Sequence, residues 1–231
     1  KVSEQDKYST FFQRFGRALK EGVVEDLENR ERIVDLLLFS TSTDPENMTS
    51  LDNYVERMGT DQNTIYYMTG DSREAIELSP HLEAFREQGV EVLILTDAVD
   101  ELLVQQALTE YRGNPLKSAG KGKLDLGTKE EKENRQKELD QKEKAFEAFL
   151  EKMKVALDDR VKEVRLSSRL TTSPACLVSG DEDVSPRLEK MFHPEGDLPA
   201  RKRILELNAE HLIVSRLKAM MIMVGMVKLM Y

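Results

Sequence analysis

The sequence predicts an α/β and α+β chain: a small αβα layered subdomain followed by a helix-rich α+β domain. Three observations predict it. Between Thr64 and Tyr111, strand-like and helix-like patterns alternate as strand–helix–strand–helix, which implies a βαβ layer. Residues 113–127 are rich in Gly, Lys and Ser and read as a linker. Beyond them, a long charged helical pattern leads into three short strand-like runs.

Taking the elements in order, Tyr8, Phe12, Phe15 and Leu19 recur every three or four residues, one face of a helix that Gly22 is expected to stop. Residues 25–41 carry a second helical pattern with Leu27, Val34, Leu37 and Leu38 facing inward. Thr49 or Ser50 is placed to cap a short helix holding Leu51, Tyr54, Val55 and Met58. Thr64–Thr69 is rich in β-branched and aromatic residues and predicts a strand. A helix over 72–88, broken near Pro80, ends at Gly89. Val90–Leu95 is a continuous apolar run, the kind buried on both faces of a parallel sheet, and 97–111 returns to helix.

From Lys129 to Glu163, 21 of 35 residues are charged, yet Leu139, Phe146, Phe149, Leu150, Met153, Leu157 and Val161 keep helical spacing. The pattern describes a solvated helix that becomes amphipathic. Glu133–Lys137, Glu138–Lys142 and Asp140–Lys144 are i,i+4 pairs of favourable polarity, each worth roughly 0.2–0.5 kcal/mol. Val161–Leu166, Ala175–Val178 and Arg203–Leu207 read as strands, antiparallel where close in sequence, with a short helix over Ser185–Phe192.

At 231 residues the chain is long enough for two domains with separate cores. Its net charge of −9 argues against non-specific nucleic-acid binding. No run reaches the roughly 18 apolar residues a membrane helix needs, and the N-terminus lacks the form of a signal peptide. The lone Cys176 allows no intrachain disulfide and sits in the apolar run Ala175–Val178, as a small core residue would. A cytoplasmic setting, without nucleic-acid or membrane partners, is expected.

Signals of catalysis are poor. GNPLKSAGKGK (113–123) resembles a phosphate loop, but six residues separate Gly113 from Gly120, and Lys121 is followed by Gly122. His81, His193 and His211 are far apart and have no Cys partner, so no metal site is expected. Asp97, Asp100 and Glu101 cluster at a strand-to-helix boundary, where carboxylates complement the helix dipole. An enzyme reading requires those acids to be perturbed within a pocket.

Two apolar features invite a functional reading. Val184, Leu188, Met191 and Phe192 are spaced for one face of the short helix, between the loop-like SGDED (179–183) and HPEGDLP (193–199). Methionine and phenylalanine suit loose recognition of varied apolar segments. At the end of the chain, ten of the twelve residues in MMIMVGMVKLMY (220–231) are apolar or aromatic. A helix that is apolar all round must be buried, and a two-fold dimer contact through Met223, Met226, Val227 and Met230 is the expected destination.

TSLDNYVERM (49–58), IYYMTG (65–70), SPHLEAFREQGVEVLILTD (79–97) and SSRLTTSPACLV (167–178), in this order, resemble the middle and C-terminal regions of the heat-shock protein 90 family, in its bacterial high-temperature protein G branch. The resemblance runs from about Tyr8 to about Leu217. It implies that residues 1–112 are the later part of a chaperone middle domain, comprising a helical connector and a small αβα subdomain. Residues 113–128 would be a linker, and 129–231 a C-terminal dimerisation and client-binding domain.

By the same resemblance, the chain is part of an ATP-driven homodimeric clamp that binds unfolded or partly folded client proteins. The ATP and Mg site and the catalytic arginine loop are expected upstream of Lys1, so no catalytic residue and no cofactor are assigned within this chain. The resemblance puts client contacts on Leu102 and Gln105 and on Val184, Leu188, Met191 and Phe192. It departs from the family pattern at Leu102, where an aromatic is usual, and at Ala209 and Leu212, where prolines are usual. A purely structural module that links protomers and transmits motion is the alternative.

Overall fold

A computed structural model describes residues 4–192 and 201–228. The chain divides into two compact units. Unit 1 holds residues 1–79, 89–119 and 185–191, and unit 2 holds 80–88, 120–184 and 192–231.

Unit 1 opens with α1 (Glu4–Glu25), which runs past Gly22, the residue expected to stop it. Phe12 is buried, and the missing side chain of Gly16 leaves room for its ring: a Cβ there would sit 2.6 Å from Phe12 Cε1. Phe15, expected on the same face, is exposed and lies 5.1 Å from Phe11, ring centroid to ring centroid. The helix expected over 25–41 contracts to α2 (Arg30–Val34), and Leu27 is exposed, while Val34 and Leu37 are core. The side chain of Asp26 accepts from Asn29 N–H at 3.0 Å, a local turn that competes with helix around Leu27.

The remaining unit 1 elements are β1 (Ser40–Thr41), α3 (Leu51–Arg57), β2 (Ile65–Thr69), α4 (Arg73–Glu77), β3 (Val92–Leu95) and α6 (Ala98–Leu102). They are followed by β4 (Glu110–Tyr111), β5 (Asn114–Ser118) and α8 (Pro186–Phe192), whose last residue belongs to unit 2. Ser50 caps α3 by accepting from Asn53 N–H. The sheet order is β1-β3-β2-β5-β4, with β3, β2 and β5 parallel and the edge strands β1 and β4 antiparallel. All four residues of β3 are buried, as the continuous apolar run predicts.

Two parts of this unit differ from the sequence reading. The helix expected over 97–111 ends at Leu102 and passes into a π-helical turn over Leu103–Ala107, closed by Leu108 N–H on Leu103 O at 2.7 Å. That wider turn accompanies the burial of Leu103, Val104 and Leu108. The stretch read as linker contains β5. Tyr111 pairs with Asn114 across Arg112 and Gly113, both at positive φ, which is the two-residue hairpin geometry that matches strand twist.

Unit 2 contains the 3₁₀ turn Pro80–Leu82 with α5 (Glu83–Glu87), then α7 (Lys129–Ala156), β6 (Val161–Leu166), β7 (Ala175–Val178), β8 (Arg203–Leu207) and α9 (Leu212–Lys228). Thr128 caps α7 in a reciprocal box with Glu131. The sheet order is β6-β8-β7, parallel between β6 and β8 and antiparallel between β7 and β8. Phe149, Val161, Val164, Leu166, Leu207 and Val214 form its core, with Leu139, Phe146, Leu150, Met153 and Leu157 packed against it. The seven apolar positions picked out by spacing therefore all reach this core. Lys142, expected to pair with Glu138, reaches Glu210 at 2.7 Å.

Candidate functional site

The short helix α8 is built from its first residues. Ser185 Oγ accepts from Leu188 N–H at 3.1 Å, and Pro186 occupies the first helical position, where its missing N–H costs nothing. Ser185 also donates its hydroxyl to Glu101 Oε2 at 2.6 Å, tying the start of α8 to α6, the helix that carries Leu102. Arg187 fixes the next turn. Its Nη1 donates to Gly70 O at 2.8 Å and its Nη2 to Thr96 O at 2.7 Å. Those carbonyls follow the C-terminal ends of β2 and β3.

This clamping decides which apolar side chains face water. Leu188, expected among the client contacts, is 3% exposed, because the side of α8 that carries it is held in unit 1. Met191 is 43% exposed and Phe192 60%. Val184, Leu102 and Gln105 are half-buried. Gln105 lies within the π-helical turn that follows Leu102. Of the expected dimer residues, the side chains of Met223, Met226 and Val227, and Met230 as a whole, lie outside the described residues.

The acidic cluster of unit 1 is engaged in structure. Lys20 Nζ lies 2.7 Å from Asp97 Oδ2 and 2.8 Å from Asp100 Oδ1, and Asp100 Oδ2 accepts from Asp97 N–H at 3.0 Å. Burial raises the Asp100 pKa above the usual carboxylate range, against the opposing pull of Lys20. Burial also pushes the Cys176 thiol up to about 12, far from a reactive thiolate. Two grooves of about 350 and 600 Å³ run along α7 beside β6, lined by residues such as Lys132, Arg135, Glu147 and Leu150, and neither includes Asp97, Asp100 or Glu101.

In unit 2 the polar residues of 167–173 serve the fold. Glu206 takes Arg165 on Oε1 at 2.7 Å, and Arg169 at 2.9 Å and Ser167 at 2.8 Å on Oε2. Gly122 O accepts from both arginines, and Gly122 itself has φ +58, with Asp181 filling the space a Cβ would need. Sequence reasoning missed Ser185, Arg187 and Glu83. Ser185-Pro186 carries a legible cap signal, whereas nothing local marks Arg187 as a ligand of distant carbonyls.

The described residues form an α/β and α+β fold, and among them no helix is long and apolar enough to cross a membrane. The chain belongs to the Hsp90 family: the family model described as Hsp90 protein matches residues 1–224. It is 50% identical over 218 residues to the chaperone protein HtpG of Frankia casuarinae, covering 94% of this chain and 33% of that protein. The HtpG of Streptomyces coelicolor is 51% identical over 219 residues (94% and 34%), and that of Magnetococcus marinus 48% over 222 (93% and 34%). The chain thus spans about a third of the length of the relatives it matches.

Proposed function

We propose that this chain is the client-binding and dimerisation portion of an ATP-driven chaperone clamp, with nucleotide hydrolysis supplied by parts of the full-length protein outside it. The part up to and including β5 acts as the later middle domain, and the part from α7 onward as the C-terminal domain, in a cytoplasmic homodimer. The observation that carries the reading is the exposure of Met191 and Phe192, adjacent large apolar side chains at the end of a short helix. Each contributes by removing client apolar area from water, at about 25 cal/mol per Å². Many such replaceable contacts favour breadth of recognition over tight affinity.

The burial of Leu188 favours a second reading, in which α8 is a packing element of a structural module without direct client contact. Suppression of heat-induced aggregation of an unrelated protein, by this chain without ATP, separates the two. Suppression at near-stoichiometric amounts is expected. No effect from a folded chain would leave the structural reading.

A further inference from the structure

We infer that Arg187 is a clamp holding α8 in unit 1, and that its release adds Leu188 to the apolar surface offered to a client. The client half of this inference rests on the client-binding reading above; the clamp half does not.

Helix α8 has only seven residues, so its docking depends on a small number of strong contacts. Arg187 supplies two, to the carbonyls of Gly70 and Thr96. A planar guanidinium suits this task, because its fixed fork donates to two separate oxygens at once. The ion pair to Asp71, at 3.7 Å with an exposed carboxylate, adds little. Ser185 supplies the third contact, to Glu101.

The docked arrangement is favoured by burying Leu188 and opposed at Glu101. That residue is 1% exposed, and its Oε1 has no hydrogen-bond partner among the described residues. Keeping a carboxylate oxygen from water without a donor is costly, and undocking of α8 gives water a route to it. Opposed terms of this kind give an element two arrangements that a partner can bias. Once undocked, Leu188, Met191 and Phe192 stand at i, i+3 and i+4, one contiguous apolar side of the helix. Such a side fits an extended apolar segment of a non-native protein.

The test uses the full 231-residue chain with Cys176→Ser and Leu188→Cys, so that a thiol reagent reports exposure of position 188. Adding Arg187→Ala is expected to accelerate labelling at least tenfold. Arg187→Lys, which keeps the charge but not the fork, is expected to fall between. Hydrogen exchange in β2 and β3 should stay unchanged, showing that unit 1 remains folded. An unchanged labelling rate overturns the clamp.

With reduced, carboxymethylated α-lactalbumin as the client probe, Arg187→Ala in the otherwise native chain should bind several-fold more tightly. Arg187→Ala combined with Leu188→Ser should lose that gain, and a gain that survives Leu188→Ser overturns the assignment of Leu188. Faster labelling with no probe binding by any variant, the native chain included, establishes the clamp and overturns the client role.

Discussion

Ser173 donates both its amide N–H and its hydroxyl to the carboxylate of Glu83, ninety positions earlier in the chain. Thr171 and Thr172 add their amide N–H groups to the same carboxylate, at 2.7 and 2.8 Å. Burial works against the charge, but the Ser173 hydroxyl and the three amides outweigh it and hold the Glu83 pKa down at about 2. A folded-state pKa below the unfolded value of about 4.5 means that the stabilisation is present above pH 4.5 and is lost as pH falls towards 2. Glu83→Gln is therefore expected to cost about 2 kcal/mol at neutral pH. Urea unfolding should show a parent–variant difference that is constant above pH 5 and shrinks below pH 4.5. A difference independent of pH would show that the charge is not what the 171–173 amides recognise.

His81 gives a second pH dependence in unit 2. Burial is the main cause of its low pKa, about 4, and the positive charge of Arg169 lowers it further. The unfolded chain binds the proton more readily, so stability from this residue is full above pH 6.5 and declines as pH falls to about 4. The decline should reach at most about 1.4 kcal/mol per pH unit, the value for one proton. His81→Gln should flatten the curve between pH 6.5 and 5. The same slope in parent and variant would assign the effect to other groups.

Glu206 is the common acceptor of Arg165, Arg169 and Ser167, and it is buried with Arg169. Removing its charge leaves two guanidinium groups facing a neutral amide. Breaking a buried pair in this way costs about 3–5 kcal/mol. Glu206→Gln is expected to lower the urea midpoint of unit 2 accordingly, followed by hydrogen exchange at Leu166 and Leu207. A loss below about 1 kcal/mol would show that water or rearrangement compensates the arginines.

These networks mark the boundary of what was legible. Val92–Leu95 is readable because a strand buried on both faces is a continuous apolar run, and the α7 stripe from Leu139 to Leu157 because burial there follows the helical period. The cap of α3 is readable to within Thr49 or Ser50, and the structure selects Ser50, because a cap depends on neighbours three residues away. Leu27 was misread because a short Asp26–Asn29 turn overrides the helical pattern. At Leu188 the amphipathic face was correctly spaced, but its side of α8 is decided by Arg187 reaching carbonyls more than ninety positions earlier. Long-range partners of this kind leave no periodic trace, and the residues proposed to contact clients lie where such partners choose between burial and exposure.

That choice separates the expected effects along α8. Met191→Ser and Phe192→Ser remove apolar area that already faces water, so stability should change by less than about 0.5 kcal/mol. Suppression of aggregation should fall several-fold. Leu188→Ala creates a cavity under docked α8 and should weaken its docking, read as faster hydrogen exchange in α8 with that of β2 and β3 unchanged. Unchanged aggregation suppression in the Met191→Ser, Phe192→Ser double variant would remove these residues from the client surface.

Helix α9 separates two faces along its described length. Val214 and Met221 pack on the core of unit 2, and Lys218 lies 3.7 Å from the centroid of the Phe146 ring. Ile213, Leu217 and Met220, at spacings of four and three, form an adjoining row about 100° round the helix and are exposed. Three large apolar residues in one exposed row suit a two-fold contact, which buries the row on both copies. In the homodimer reading, Leu217→Asp with Met220→Asp places charges in that contact without touching the packed face. Sedimentation velocity should show the parent chain dimeric at micromolar concentration and the double variant monomeric, with the far-ultraviolet circular dichroism of the two alike. A parent chain that sediments as a monomer at every concentration would show that α9 in this chain does not suffice to hold two copies together.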